Sequence, residues 1–183
     1  MAFADWAGLR PYTELEYTKA ARGPLPPKPT EHAWSTSSTD PMARRIDPKT
    51  QSVVMMNGLN EGDLSNETRV AFGASYYWVM DLSGSMWEKV ITVGDSTGRA
   101  FTGTHGDGEI TGYGAANVDG WPEGISESAG YGYRGGGYYG GNATLTEFVP
   151  YSPIAFRRYG AWSAGPRNAA YGFRAARTAP DHQ

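Results

Sequence analysis

The chain has 183 residues, net charge −3, 19% charged and 13% aromatic residues, and no cysteine. That length suits one folded domain, and that composition excludes a disordered polyelectrolyte. Zero cysteine excludes disulfides, thiolate chemistry and cysteine metal sites, and the acidic balance argues against bulk electrostatic binding of nucleic acid.

Phe3, Ala4, Trp6, Ala7 and Leu9 predict the end of an amphipathic helix, stopped by Gly8. No run is long enough to span a membrane, and Met1–Arg10 lacks the basic-then-apolar order of a signal peptide. Localisation stays open on this reading, with surface display and virion association both compatible. Thr13-Glu14-Leu15-Glu16 is a capping box opening a second helix, with Leu15, Ala20 and Ala21 on its apolar face. Arg22, Gly23 and Pro24 end it.

Residues 24–50 read as an irregular surface excursion anchored by Trp34. Ser52–Met56 is a strand candidate and Asn57–Glu67 a turn-rich loop. Ser75–Asp81 and Met86–Val93 are the next apolar runs. Gly94–Asp119 is a long Gly-, Thr- and Asp-rich loop, of a length that is often functional. Gly172–Thr178 reads as a closing strand. The sum is an α+β domain with short twisted strands, few helices and much irregular loop. Residues 1–129 would be scaffold, and 130–180 a variable ligand-binding region of the same domain.

That last region carries the functional signal. Tyr131, Tyr133, Tyr138, Tyr139, Tyr151, Phe156, Tyr159, Trp162 and Tyr171 recur among Gly, Ser, Ala and Asn. Aromatic rings among small residues are the composition of a binding surface: stiff contact area with adaptable polar neighbours. Arg134, Arg157, Arg158, Arg167, Arg174 and Arg177 stand against Glu147, and no lysine follows Lys89. Arginine is favoured at interface hot spots, lysine and glutamate are not. Tyr133, Phe173 and Tyr138 are expected in the core or at its shoulder.

Weaker motifs fall to simpler readings. Arg134-Gly135-Gly136 resembles an RNA-binding RGG element, but it occurs once in an acidic chain, and a buried strand arginine is favoured. Thr104–Glu109 lacks calcium-loop spacing. His32, His105 and His182 are scattered in no catalytic or metal-binding spacing. Asn66-Glu67-Thr68 and Asn142-Ala143-Thr144 match a glycosylation sequon, which matters only in a secreted chain. Gly135–Gly141 lacks the Lys-Ser/Thr of a phosphate loop, and Arg157-Arg158 reads as a rim contact or ion-pair donor.

Four segments occur in order: LRPYTELEYTKAARG (Leu9–Gly23), YYWVMDLSGSMWE (Tyr76–Glu88), YRGGGY (Tyr133–Tyr138) and RNAAYGFRAAR (Arg167–Arg177). Together they resemble the sulfatase-modifying-factor family, the domain of formylglycine-generating enzymes. That family shows a TE-x-E helix ending AARG, a DMSGNVWEW turn, an RGGSW strand and a terminal GFR-x-x-R strand. The resemblance spans nearly the whole chain and implies a C-type-lectin-like fold, with further sequence usual before the first helix.

The departures bear on chemistry. Formylglycine-generating enzymes use cysteines for copper and oxygen chemistry, and this chain has none. Related sulfoxide synthases place a histidine iron site in an additional domain that is missing here. The calcium seen at the turn in some relatives meets Ser85 in place of Asn and Lys89 in place of the second Trp. No cofactor is therefore expected, with calcium at this turn the alternative that the resemblance leaves, and Glu88 is expected to be a structural acceptor.

Within that superfamily the chain is most similar to the variable proteins of diversity-generating retroelements, whose lectin-like surface is heavily mutated on a fixed scaffold. The resemblance implies randomised template adenines, often in AAC codons, which never yield Lys, Gln, Glu, Met or Trp. From Gly130 to Ala179 only Glu147 and Trp162 break that rule, and these would be fixed positions. The expectation is a non-catalytic binder of a protein or glycan on another cell or particle, without nucleic acid or membrane insertion. Its site would comprise Tyr131, Tyr139, Phe156, Tyr159, Gly160, Trp162, Ser163, Asn168, Ala170 and Tyr171. Arg134, Arg167 and Arg174 would brace the loops. A metal oxidase of the formylglycine type, or a degenerate relative, and an RGG-like nucleic-acid binder are the alternatives.

Overall fold

The computed structural model describes residues 1–38, 42–46, 49–50, 52–55, 57–122, 129–137, 151–164 and 170–179. In chain order it contains α1 (Ala2–Trp6), β1 (Arg10–Pro11), α2 (Glu14–Arg22), β2 (Arg44–Ile46), β3 (Val53–Met55), a 3-10 turn (Glu61–Asp63), β4 (Trp87–Ile91), α3 (Ser96–Arg99), β5 (Tyr131–Arg134), β6 (Tyr171–Phe173) and β7 (Ala175–Ala176). It is a mixed α+β structure with few helices, short strands and extensive loop.

The capping box sets α2. The Glu16 amide donates to Thr13 Oγ1 at 3.1 Å, and the Thr13 amide donates to Glu16 Oε2 at 3.0 Å. Gly23 ends the helix at φ 69°. A Cβ there would stand 2.5 Å from the Tyr76 ring, so both conformation and space require glycine. The inward face is Glu14, Tyr17 and Ala21, while Leu15 is 63% exposed. This differs from the expected Leu15/Ala20/Ala21 face because Glu14 enters the interior with its charge matched. In α1, likewise, Ala4 and Asp5 point inward while Phe3 and Trp6 are exposed. Asp5 is held by the amides of Asp107 (3.2 Å) and Asn117 (2.9 Å), which pin the long loop onto α1.

The central sheet has the order β5-β4-β6. β4 is antiparallel to β5, with Lys89 opposite Tyr133 and Glu88 opposite Arg134. It is parallel to β6, with Trp87 opposite Tyr171. Alternation along these strands separates two faces. Glu88, Val90 and Arg134 share the face covered by α2, where Tyr12, Tyr17, Ala21, Ala33, Leu82, Val90 and Ile154 form a core. Trp87, Tyr133 and Tyr171 share the other face, and a second, aromatic cluster builds on it.

Several loops are more structured than expected. Residues 44–46 pair with 53–55 as a short antiparallel ladder, so the excursion after residue 24 contains a strand. α3 interrupts the 94–119 loop; its cap is Asp95, whose Oδ1 accepts from the Thr97 amide. Ser75–Asp81, apolar in sequence, is a chain of turns with Trp78 and Asp81 at positive φ (62° and 63°). The closing segment is two short strands broken at Arg174, the second pairing with β1 through Ala176 opposite Arg10. Trp34 is the expected anchor, 1% exposed and stacked on His32 at 4.6 Å.

Candidate binding surface

Beneath the aromatic cluster lies a charged lock. Glu14, 1% exposed, accepts from Arg134 Nη1 (2.9 Å), Arg157 Nε (3.0 Å) and Nη2 (2.7 Å), and the Val93 amide (2.7 Å). Burial opposes its ionisation, but hydrogen bonds from Arg157 and Val93 and the charges of Arg157 and Arg134 hold its carboxyl below the usual range. Arg134 also donates to the Ile154 carbonyl at 2.5 Å and stacks 4.8 Å over the Tyr17 ring. One carboxylate thus ties α2, β5 and the 151–164 segment together.

A second brace is Arg174, whose Nε donates to Glu88 Oε1 at 2.6 Å and whose Nη2 donates to the Met80 carbonyl. Glu88 is the expected acceptor. Burial pushes its carboxyl up against the opposing pull of Arg174, and its Oε2 has no hydrogen-bond partner among the described residues. Arg134 and Arg174 therefore brace the loops as expected; Arg167 lies outside the described residues.

The 151–164 segment crosses β5 by close backbone approach. The Tyr133 amide donates to the Tyr159 carbonyl at 2.8 Å, and the same carbonyl accepts from the Trp162 amide at 3.1 Å. A Cβ on Gly132 would stand 1.8 Å from Gly160 O, so only glycine admits this crossing. Ile154 N donates to Glu31 O, and Ser83 Oγ to Ser152 O, closing the other end. His32 is buried here, with Nδ1 3.2 Å from Ser152 Oγ, and burial depresses its basicity.

On this frame the rings converge. Trp87 and Tyr133, each about 5% exposed or less, form the floor. Tyr159 stands edge-on to Trp87 at 5.2 Å and also meets Tyr151 (5.8 Å), Phe156 (6.2 Å) and Trp162 (5.4 Å). Tyr171 stacks on Trp87 at 6.3 Å and meets Tyr133 edge-on at 5.1 Å. Trp162, at the top, is 37% exposed. Such tilted and edge-on pairs contribute roughly 0.5–1.5 kcal/mol each beyond area burial, so the cluster is rigid although partly open to solvent.

The expected site residues divide accordingly. Phe156, Tyr159, Trp162 and Tyr171 come together in this cluster, with Ser163 half-buried beside Trp162. Tyr139 and Asn168 lie outside the described residues, as does Tyr138. Tyr131 is corrected to the interior: it is 2% exposed, its hydroxyl donates to the Pro122 carbonyl at 2.6 Å, and burial raises its pKa. Alternation puts it on the ring face, but Pro122 at the end of the long loop covers it. Gly160 and Ala170 are also buried. Gly160 belongs to the crossing, and Ala170 O accepts from the Trp87 amide at 2.7 Å. Both support the surface without presenting a face to a ligand.

Trp87 and Tyr151 belong to the cluster but were not among the expected site residues, although Tyr151 is one of the recurring aromatics. Trp87 lies in the Met86–Val93 apolar run; the signal for its face was the strand period shared with Lys89 and Ile91. The RGG arginine is the strand residue that sequence favoured, 2% exposed and paired with Glu14, so it has no free face for a base. Among the described residues no three His, Asp or Glu side chains converge as metal ligands. No helix among them is long and apolar enough to cross a membrane. Compared with protein-family models, curated proteins and solved structures, the chain matches none.

Proposed function

We propose that this is a non-catalytic ligand-binding protein whose ring cluster is the recognition surface, and that it is a C-type-lectin-like variable protein of a diversity-generating retroelement. The observation that carries the binding reading is the pairing of an open aromatic surface with a locked frame. Trp162, Tyr159, Phe156 and Tyr171 reach the surface, while Glu14, Arg134 and Gly132 fix the backbone underneath. Side chains at the rim can then change without changing the frame, which is what a diversified binder requires. The four ordered motifs and the codon pattern of residues 130–179 support the retroelement reading.

Sequencing the gene across closely related source cells or virions tests it. Substitutions should fall on Phe156, Ser163 and Tyr171, and on Tyr139 and Asn168, obeying the adenine rule. Glu14, Gly132, Arg134 and Trp162 should stay constant. An invariant gene, or variation spread evenly through residues 1–129, would remove the retroelement reading.

A further inference from the structure

Resting on that binding reading, we infer that the partner of this chain is a polypeptide carrying a carboxylate beside an apolar side chain, which seats on Arg158 while the apolar group covers Trp162 and Tyr159. Among the described residues, the segments that build the surface carry arginine and no acid. Residues 151–164 and 170–179 contain Arg157, Arg158, Arg174 and Arg177 and no Asp or Glu, although the whole chain has net charge −3. Two of these, Arg157 and Arg174, engage Glu14 and Glu88, which are buried at 1% and 3% on the side of the sheet covered by α2.

Arg158 is exposed, and among the described residues no carboxylate pairs with it. Its guanidinium lies 5.7 Å from the Tyr159 ring centroid. Any ligand covering Tyr159 therefore strips water from Arg158. A desolvated cation without a counter-charge is strongly unfavourable, whereas a carboxylate meets the guanidinium fork with paired hydrogen bonds. Charge complementarity of this kind also speeds encounter.

The ring geometry separates a polypeptide from a neutral sugar. Trp162 is inclined by 55°, 54° and 56° to Tyr133, Tyr159 and Tyr171. That is a ridged surface, suited to side chains that interdigitate, and not a flat platform for sugar rings. Among the described residues a single cation without a carboxylate partner, Arg158, stands beside these rings, too little for a polyphosphate chain, whose binding scales with the number of phosphates neutralised.

The test uses short synthetic peptides with a central Trp, Tyr, Phe or Leu flanked by Asp, by isosteric Asn, or by Lys. Chitotetraose and an oligouridylate serve as the other probes. Affinity is read by calorimetry on the full chain, on Arg158→Gln and on Trp162→Ala, each checked for an unchanged melting curve. The expected result is at least about tenfold tighter binding of an Asp peptide than of its Asn counterpart, a preference weakened by salt and lost in Arg158→Gln. Equal binding of Asn peptides, or preference for Lys peptides, chitotetraose or oligouridylate, with loss in Trp162→Ala, overturns the acidic partner and leaves the binding surface standing. No binding by any probe at millimolar concentration overturns both.

Discussion

Replacing Glu14 by Gln removes the charge that pairs with Arg134, itself 2% exposed, and that engages Arg157 from below. Breaking a buried ion pair by neutralising one member costs about 3–5 kcal/mol, because the other charge is left buried. The Arg157 share is smaller, since its side chain is 50% exposed and water can replace the carboxylate. At roughly 2.1 cal/mol/K per residue, 183 residues give an unfolding entropy of about 0.4 kcal/mol/K, so Tm should fall by about 8–13 °C. Thermal melts followed by circular dichroism at neutral pH measure this. The double variant Glu14→Leu/Arg134→Met, which removes both charges, should be less destabilised than the single changes summed. A drop of less than about 3 °C for Glu14→Gln would show that Arg134 does not depend on this carboxylate, and the lock would be wrong.

Other outcomes follow from the same geometry. Gly132→Ala should lower Tm and reduce ligand binding together, since its methyl meets Gly160 O at 1.8 Å and must push the crossing away; a melting curve and a binding isotherm both matching wild type would contradict this. Tyr159→Ala, at the centre of four ring contacts, should cost about 2–3 kcal/mol, whereas Trp162→Ala at the rim should leave Tm within a few degrees. The reverse order would misplace the exposed edge. Stability should decline on acidification in two stages, read by denaturant titration at a series of pH values. His32, depressed by burial, contributes stability that is complete above the ordinary imidazole range and is lost as pH falls from it. Glu14 and Glu16, both held low, contribute stability that is lost only as pH falls below the ordinary carboxylate range. Glu88 has the opposite sign: raised by burial, it contributes stability that is lost as pH rises through its folded value. Glu88→Gln should therefore weaken that component, and an unchanged pH profile would show that Glu88 titrates as a free acid.

Local rules made much of the scaffold readable. Thr13, Glu16 and Gly23 define α2 through bonds that involve only neighbouring residues, so the sequence displays them directly. The run from Met86 to Val93 contains β4, because alternation and β-rich composition agree there. What local rules could not show is long-range charge matching. Glu14 was not on the expected apolar face of its helix, and its partners lie 120 and 143 positions away in the chain. The same limit applies to the surface. Tyr131 and Tyr133 are alike in sequence and share a sheet face, yet only Tyr133 joins the ring cluster, because Pro122 closes over the other. The hairpin of β2 and β3 escaped notice because its first strand, Arg44–Ile46, is too short and too charged to show a period.

The most direct test of the central claim, that a locked frame carries a replaceable recognition surface, is a displayed library randomised at Phe156, Ser163 and Tyr171. Its members would be scored for folding and then selected against several unrelated purified proteins. Most variants should keep a cooperative melt near that of the parent, and each target should enrich its own set of side chains. If most variants instead unfold, the rings are core and not a surface; if they fold but no target enriches any of them, the surface is not a binding site.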